Sequence, residues 1–262
     1  MTNIEKLNMN IDQVNSDFVT IKNKIVECGV EVAENTPTMD YASKVAEVYD
    51  KGVASGKYAE WDAFWDAFQD NGNRKAYNNA FNNTWTAEIF KPKYPIKVVG
   101  DASYMFDSCK IGNQETPDFD FIENGVILDT SGATSLTYMF RNCKGIKRVG
   151  TIDCTSITKD INRTFYYCKV ITIDKLVVKE TLKYDSPFAS TSNLENITIE
   201  GIIGNNISFG DCTKLTKDSL LSIIAALKND VSGLTCTLGT TNLAKLTDDE
   251  KAIATQKGWT LT

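Results

Sequence analysis

The chain counts 262 residues, 42% of them hydrophobic, which is enough for a sizeable core in one or two folded units. It has no histidine, which excludes Ser-His-Asp and Cys-His nucleophilic centres, a histidine general base and histidine-ligated zinc. With 34 acidic against 28 basic side chains the net charge is −6; no cluster of Lys and Arg reverses that locally, so nucleic acid is not an expected partner.

The opening MTNIEKLNMNIDQVNSDF lacks the continuous apolar run of a secretory signal, and no stretch is apolar for long enough to span a bilayer. A chain made in a cytoplasm, without membrane insertion, is the expectation. Seven cysteines with no CxxC pair among them fit a reducing compartment better than a disulfide framework.

Residues 1–30 carry an assembly pattern. Ile4, Leu7, Ile11, Val14, Phe18, Ile21, Ile25 and Cys28 follow at alternating steps of three and four, the a/d stripe of a coiled coil. A lone helix of this length is marginal in water, so the stripe must meet partner helices or the rest of the chain. Ile at most a positions leans towards a homotrimer, while Val19 and Val26 widen the apolar face, as in a helix lying on its own domain. Gly29 then ends the helix.

Residues 31–100 read as a helical, aromatic-rich connector. Its second part places Trp61, Phe64, Trp65 and Phe68 on one helical face, a packing stripe in preference to a ligand platform. Asp62 and Asp66 sit on the solvated back of that helix. Pro92 and Pro95 interrupt an irregular stretch that leads into a strand at 96–99.

From residue 101 a phrase recurs: ASYMFDSCKI, LTYMFRNCKGI, INRTFYYCKVI, YDSPFASTSNL and NISFGDCTKL, anchored on Phe106, Phe140, Phe165, Phe188 and Phe209. Three residues after each anchor stands a small residue, Cys109, Cys143, Cys168, Thr191 or Cys212. The anchors are 34, 25, 23 and 21 residues apart, a period expected of a solenoid whose coils bury their apolar side only by stacking. Short β-prone runs between anchors supply one strand per coil. The cysteines are then core spacers, because free cysteine packs as a small hydrophobe, and their spacing does not suit zinc.

The phrase MF-x-x-C-x-x-[LI] followed by a strand resembles the BspA-type leucine-rich repeat over residues 101–215. The fourth copy departs from it at Thr191, and the first is followed by the insertion GNQETPDFDFIENG. Residues 216–262 read as an α/β cap: a helix SLLSIIAALKND after Thr216, a strand LTCTLG, a capping box from Thr247 to Glu250, and a last strand GWTLT. The expected class is therefore α+β: an N-terminal helical, trimeric coiled-coil region, a short leucine-rich-repeat β-solenoid and an α/β C-terminal cap.

No phosphate loop, dinucleotide fingerprint, nucleophile elbow or calcium loop occurs, and Asp118-Phe-Asp120 reads as a solvated loop. No catalytic residue, cofactor or metal is expected. The order of segments, from the N-terminal stripe through EVAENTPTMDYASKV and WDAFWDAFQDNGNR to the ending LGTTNLAKLTDDEKAIATQKGW, resembles structural proteins in the tail or baseplate of phages and prophages of Gram-positive bacteria. That resemblance implies a virion protein that assembles with itself and with other tail proteins and attaches to a host-surface polysaccharide or protein. Tyr166, Tyr167 and Tyr184 are the expected receptor-binding residues, since tyrosine gives contact area at low entropic cost. A surface adhesin with BspA-type repeats is the alternative, and a cell-wall glycan hydrolase using an Asp/Glu pair a more distant one.

Overall fold

A computed structural model of the chain describes residues 22, 23, 25, 26, 80, 81, 85–87, 90, 92, 95–158 and 160–262. The chain divides into two compact units, residues 1–73 and 74–262. In the first, Lys22, Asn23, Ile25 and Val26 are helical, with Ile25 buried and Val26 exposed. Ile4, Leu7, Ile11, Val14, Phe18 and Ile21 of the assembly stripe, and the aromatic stripe from Trp61 to Phe68, lie outside the described residues.

The second unit is built from short parallel strands. β2 (Phe119–Asp120), β4 (Ile146–Asp153), β6 (Thr172–Val178) and β8 (Asn196–Gly201) form a four-stranded sheet in that order. β1 (Ile96–Asp101) pairs with β3 (Leu128–Ser135), and β5 (Asp160–Asn162) with β7 (Lys183–Asp185). β9 (Ile207–Ser208), β10 (Leu234–Thr237) and β11 (Trp259–Leu261) make a fourth sheet, ordered β11-β10-β9. All these pairings are parallel. Ile146, Val149 and Ile152 of β4 and Ile173, Leu176 and Val178 of β6 are buried, and β-branched side chains suit this pleated, packed surface. Three helices follow late in the chain: α1 (Lys217–Ala226), α2 (Thr240–Leu243) and α3 (Asp248–Gln256).

This architecture corrects the expected class. The described residues are mostly parallel sheet with few helices, not an α+β chain led by a helical coiled-coil region, and a leucine-rich-repeat solenoid of one strand per coil is not what they show. Each interval between successive phenylalanine anchors contributes two strands that enter different sheets, as β4 and β5 do between Phe140 and Phe165. The second strand of each pair is only two or three residues long in β5, β7 and β9, too short to leave a periodic signal. Asp118–Asp120 is corrected likewise: Phe119 and Asp120 form β2, and Asp120 is buried, accepting the backbone N–H groups of Ile122 and Glu123.

In the first four copies the stretch from two residues before the anchor to three after it is neither strand nor helix. It folds as chained turns, in which Met105, Asp107 and Cys109 donate their N–H groups to the carbonyls of Ala102, Tyr104 and Phe106. The intervening N–H groups of Tyr104, Phe106 and Ser108 donate to Thr137, Met139 and Arg141 of the next copy. Two residues before and two after the anchor, the backbone is left-handed: Tyr104 and Ser108, Tyr138 and Asn142, Arg163 and Tyr167, Ser186 and Ser190. Such residues cost energy outside glycine, and here the bonds between copies hold them in place. Each copy thereby repeats the backbone path of the last.

The anchor rings stack in series. Phe106–Phe140 centroids are 5.1 Å apart with planes at 2°, Phe140–Phe165 5.2 Å and 3°, Phe165–Phe188 5.6 Å and 7°, and Phe188–Phe209 4.7 Å and 20°. Phe81 extends the row at 5.2 Å from Phe106, and Trp85 and Phe90 close around it edge-on. At the other end Thr216 caps α1, which packs on β8, and the capping box read from Thr247 and Glu250 is present at the start of α3.

Candidate functional site

Because the first four copies share this turn geometry, each position of the phrase becomes a row of side chains running from copy to copy. The anchor position and the one three after it face inwards: Phe106, Phe140, Phe165, Phe188 and Phe209 are buried, as are Cys109, Cys143, Cys168, Thr191 and Cys212. Cys143 Sγ donates to the Phe106 carbonyl at 2.8 Å and Thr191 Oγ1 to that of Phe165 at 2.6 Å. Cys168 Sγ donates to the Cys143 carbonyl at 3.1 Å. Cys109 and Cys143 sulfurs lie 3.5 Å apart. Burial pushes the Cys154, Cys168 and Cys236 thiols up to about 12 and raises Cys143 and Cys212 strongly as well, so these thiols are held protonated and poorly nucleophilic.

Three other positions carry the polar and aromatic side chains of the phrase, most of them half-buried or exposed, with Asp107 buried beneath Arg141. Two residues before the anchor stand Tyr104, Tyr138 and Arg163; one after it, Asp107, Arg141 and Tyr166; two after it, Ser108, Asn142 and Tyr167. Tyr104 and Tyr138 stack at 5.2 Å with planes at 18°, and Tyr166 meets Tyr138 edge-on at 6.5 Å. The Arg141 guanidinium lies 5.2 Å and 4.9 Å from the Tyr104 and Tyr138 ring centres. Its Nε and Nη2 both donate to the carboxylate of Asp107, at 2.8 and 2.5 Å, a bidentate pair that raises the Arg141 pKa and keeps it charged. Arg163 lies 5.6 Å from the Tyr166 ring centre and donates from Nη1 to the Tyr138 hydroxyl at 2.8 Å. Lys144 reaches within 5.9 Å of the Tyr167 ring centre, and Tyr167 itself is 6.0 Å from Tyr166. These are cation–π distances.

Of the expected receptor-binding tyrosines, Tyr166 and Tyr167 stand together on this ladder. Tyr184 does not. It lies on β7 opposite Ile161 of β5, and since paired residues in a parallel sheet project to the same side, it turns inwards with that buried isoleucine. Burial raises the pKa of its phenol, and its hydroxyl is without a hydrogen-bond partner among the described residues. Conversely, Tyr104, Tyr138, Arg141, Lys144 and Arg163 were not singled out from the sequence. Their signal is their place in the phrase, at fixed offsets from anchors already recognised.

Asp107 is paired with Arg141; Asp120 accepts backbone donors, and Arg148 joins it at 3.9 Å while binding Asp174 at 2.7 Å. Among the described residues no group of three or more thiols and carboxylates could hold a metal ion, and no helix is long and apolar enough to cross a membrane. The chain matches no family model, no curated protein and no solved structure.

Proposed function

We propose that the chain is a structural protein of a phage virion, carried in the tail or baseplate, that attaches to the host surface through the ladder of Tyr104, Tyr138, Tyr166 and Tyr167 with Arg141, Lys144 and Arg163. The observation that carries the attachment half is this row of aromatic rings and cations, repeated from copy to copy and facing outwards. Tyrosine and arginine are the side chains that contribute most to recognition per residue ordered. On this reading the chain binds and does not catalyse, because the buried carboxylates serve arginines and backbone donors and the described thiols are sealed in the interior. The virion half draws on the resemblance of the segment order to tail proteins of Gram-positive phages, with other tail or baseplate proteins as assembly partners.

Mass spectrometry of virions purified after prophage induction, set beside surface labelling of intact cells, tests the assignment. The chain is expected in the particles at a stoichiometry comparable with other tail proteins. Its presence on intact cells and absence from particles would overturn the virion assignment in favour of a cell-surface adhesin.

A further inference from the structure

The outward ladder is not chemically uniform. At its Tyr104–Tyr138 end the cation is already committed, since Nε and Nη2 of Arg141 both bond the Asp107 carboxylate. At the Tyr166–Tyr167 end the cations are uncommitted. Arg163 is exposed and donates one bond, to the Tyr138 hydroxyl, leaving most of its five donors for a ligand. Among the described residues no carboxylate comes within ion-pair distance of Arg163 or Lys144; Asp185 acts on Arg163 only from further away. Tyr167, within 5.9 Å of Lys144 and 6.0 Å of Tyr166, is 55% exposed, and no other described aromatic ring is as open.

This end is also rigidly held. Tyr166 and Cys168 donate their N–H groups back to Arg163 and Phe165, and Arg163, Phe165 and Tyr167 donate theirs forward to Asp185, Pro187 and Ala189. A surface fixed in this way loses little freedom on binding. An exposed phenol ring offers a flat apolar face to the C–H side of a sugar ring, and a guanidinium fork matches a carboxylate or phosphate. The steps of 5.2 to 6.5 Å between successive ladder rings are comparable with the length of one sugar unit in an extended chain. Two uncommitted cations on a chain of net charge −6 select for an anion locally, while the acidic remainder disfavours a long polyphosphate such as nucleic acid.

We propose that Tyr167, Tyr166, Arg163 and Lys144 bind an acidic glycan, with a sugar ring against Tyr167 and its anionic groups on Arg163 and Lys144. The proposal rests on the attachment reading above and adds to it the chemistry of the ligand. Calorimetric titration of the full chain tests it with four probes: a galacturonic acid trisaccharide, the methyl ester of the same trisaccharide, a sugar phosphate, and inorganic phosphate. The acidic trisaccharide or the sugar phosphate is expected to bind, the better of the two identifying the anion. The ester and inorganic phosphate should each bind about tenfold more weakly, or not at all, and Arg163→Gln and Tyr167→Ala should each weaken the preferred probe about tenfold. Both side chains are exposed, so unchanged thermal melting is expected for Arg163→Gln; a variant that melts early is replaced by Lys144→Gln or Tyr167→Leu in the same titration.

Equal binding of the ester, equal binding of inorganic phosphate, no binding of either sugar acid, or variants that bind like the parent would each overturn the proposal. If the parent chain and the Arg163→Gln/Tyr167→Ala double variant sediment equally with bacterial cell walls, attachment survives and the acidic-glycan site does not. If the parent fails to bind walls at all, it is the attachment reading that falls.

Discussion

Cys143 and Thr191 occupy the same place in the second and fourth copies of one phrase and do the same work: each donates a side-chain hydrogen bond to a phenylalanine carbonyl of the preceding copy. The position therefore asks for a small side chain that can also donate, which explains how threonine can replace cysteine there. Treating the cysteines as apolar spacers captures their size and misses the bond. Thr191→Val keeps the shape and removes the donor; it is expected to cost about 1 kcal/mol and to lower the melting temperature by about 2–4 °C, while Thr191→Cys should cost less. Calorimetric melting of the two variants checks the order, and a valine variant as stable as the parent would contradict it. The six described thiols, all buried and free, should resist alkylation in the native chain and react together once denaturant unfolds it. Counting labelled cysteines by mass before and after unfolding provides the check, with rapid native labelling of Cys143 or Cys168 as the contrary result.

At the level of elements, the caps at the C-terminal end were legible because a cap is local chemistry. Thr247 and Glu250 exchange side-chain and backbone bonds within four residues, and Thr216 does the same work for α1 with one bond. The Thr247 backbone N–H and the Lys217 ammonium lower the Glu250 pKa below its ordinary value of 4.5. A carboxylate depressed in the folded state contributes stability above its unfolded pKa, and that contribution is lost as pH falls through the folded value. Glu250→Gln should therefore be less stable than the parent near neutrality and should converge on it in acid. Parallel stability curves for the two at every pH would count against the capping box as a titrating contributor.

The strands were less legible than the caps. Ile146–Asp153 and Thr172–Val178 carry enough β-branched residues to announce themselves, whereas β2, β5, β7 and β9 have two or three residues each and exist only because a parallel neighbour is already in place. The sharing of strands among separate sheets was hidden for that reason, and so was the inward turn of Tyr184. The ladder was hidden for another: its rows keep the position and change the residue, running Tyr104, Tyr138, Arg163, Ser186 at one offset. A search for identical residues passes over such a row. Lysines add a further device that sequence does not reveal, the ammonium that gathers orphan carbonyls. Lys257 Nζ bonds the Ile224, Ala225 and Leu227 carbonyls at the end of α1, and Lys169 Nζ those of Gln114 and Glu115 in the insertion after the first copy.

Within the second unit as a whole, the row of stacked phenylalanines joins the backbone bonds between copies in carrying one copy's geometry to the next, and the outward ladder inherits its regularity from both. Phe140 sits inside the stack, nearly parallel to Phe106 on one side and to Phe165 on the other. Phe140→Ala opens a cavity between two copies and is expected to cost about 3–5 kcal/mol. Denaturant unfolding measures it, and a loss below about 1 kcal/mol would mean that the stack is not the main link between copies. The central claim is that a surface ordered in this way holds on to a bacterial envelope. Cosedimentation of the full chain with purified Gram-positive cell walls, beside a folded variant carrying Tyr166→Ala, Tyr167→Ala and Arg163→Gln, tests it most directly. The parent should pellet with the walls and the variant stay in solution; equal pelleting of both, or of neither, would contradict it.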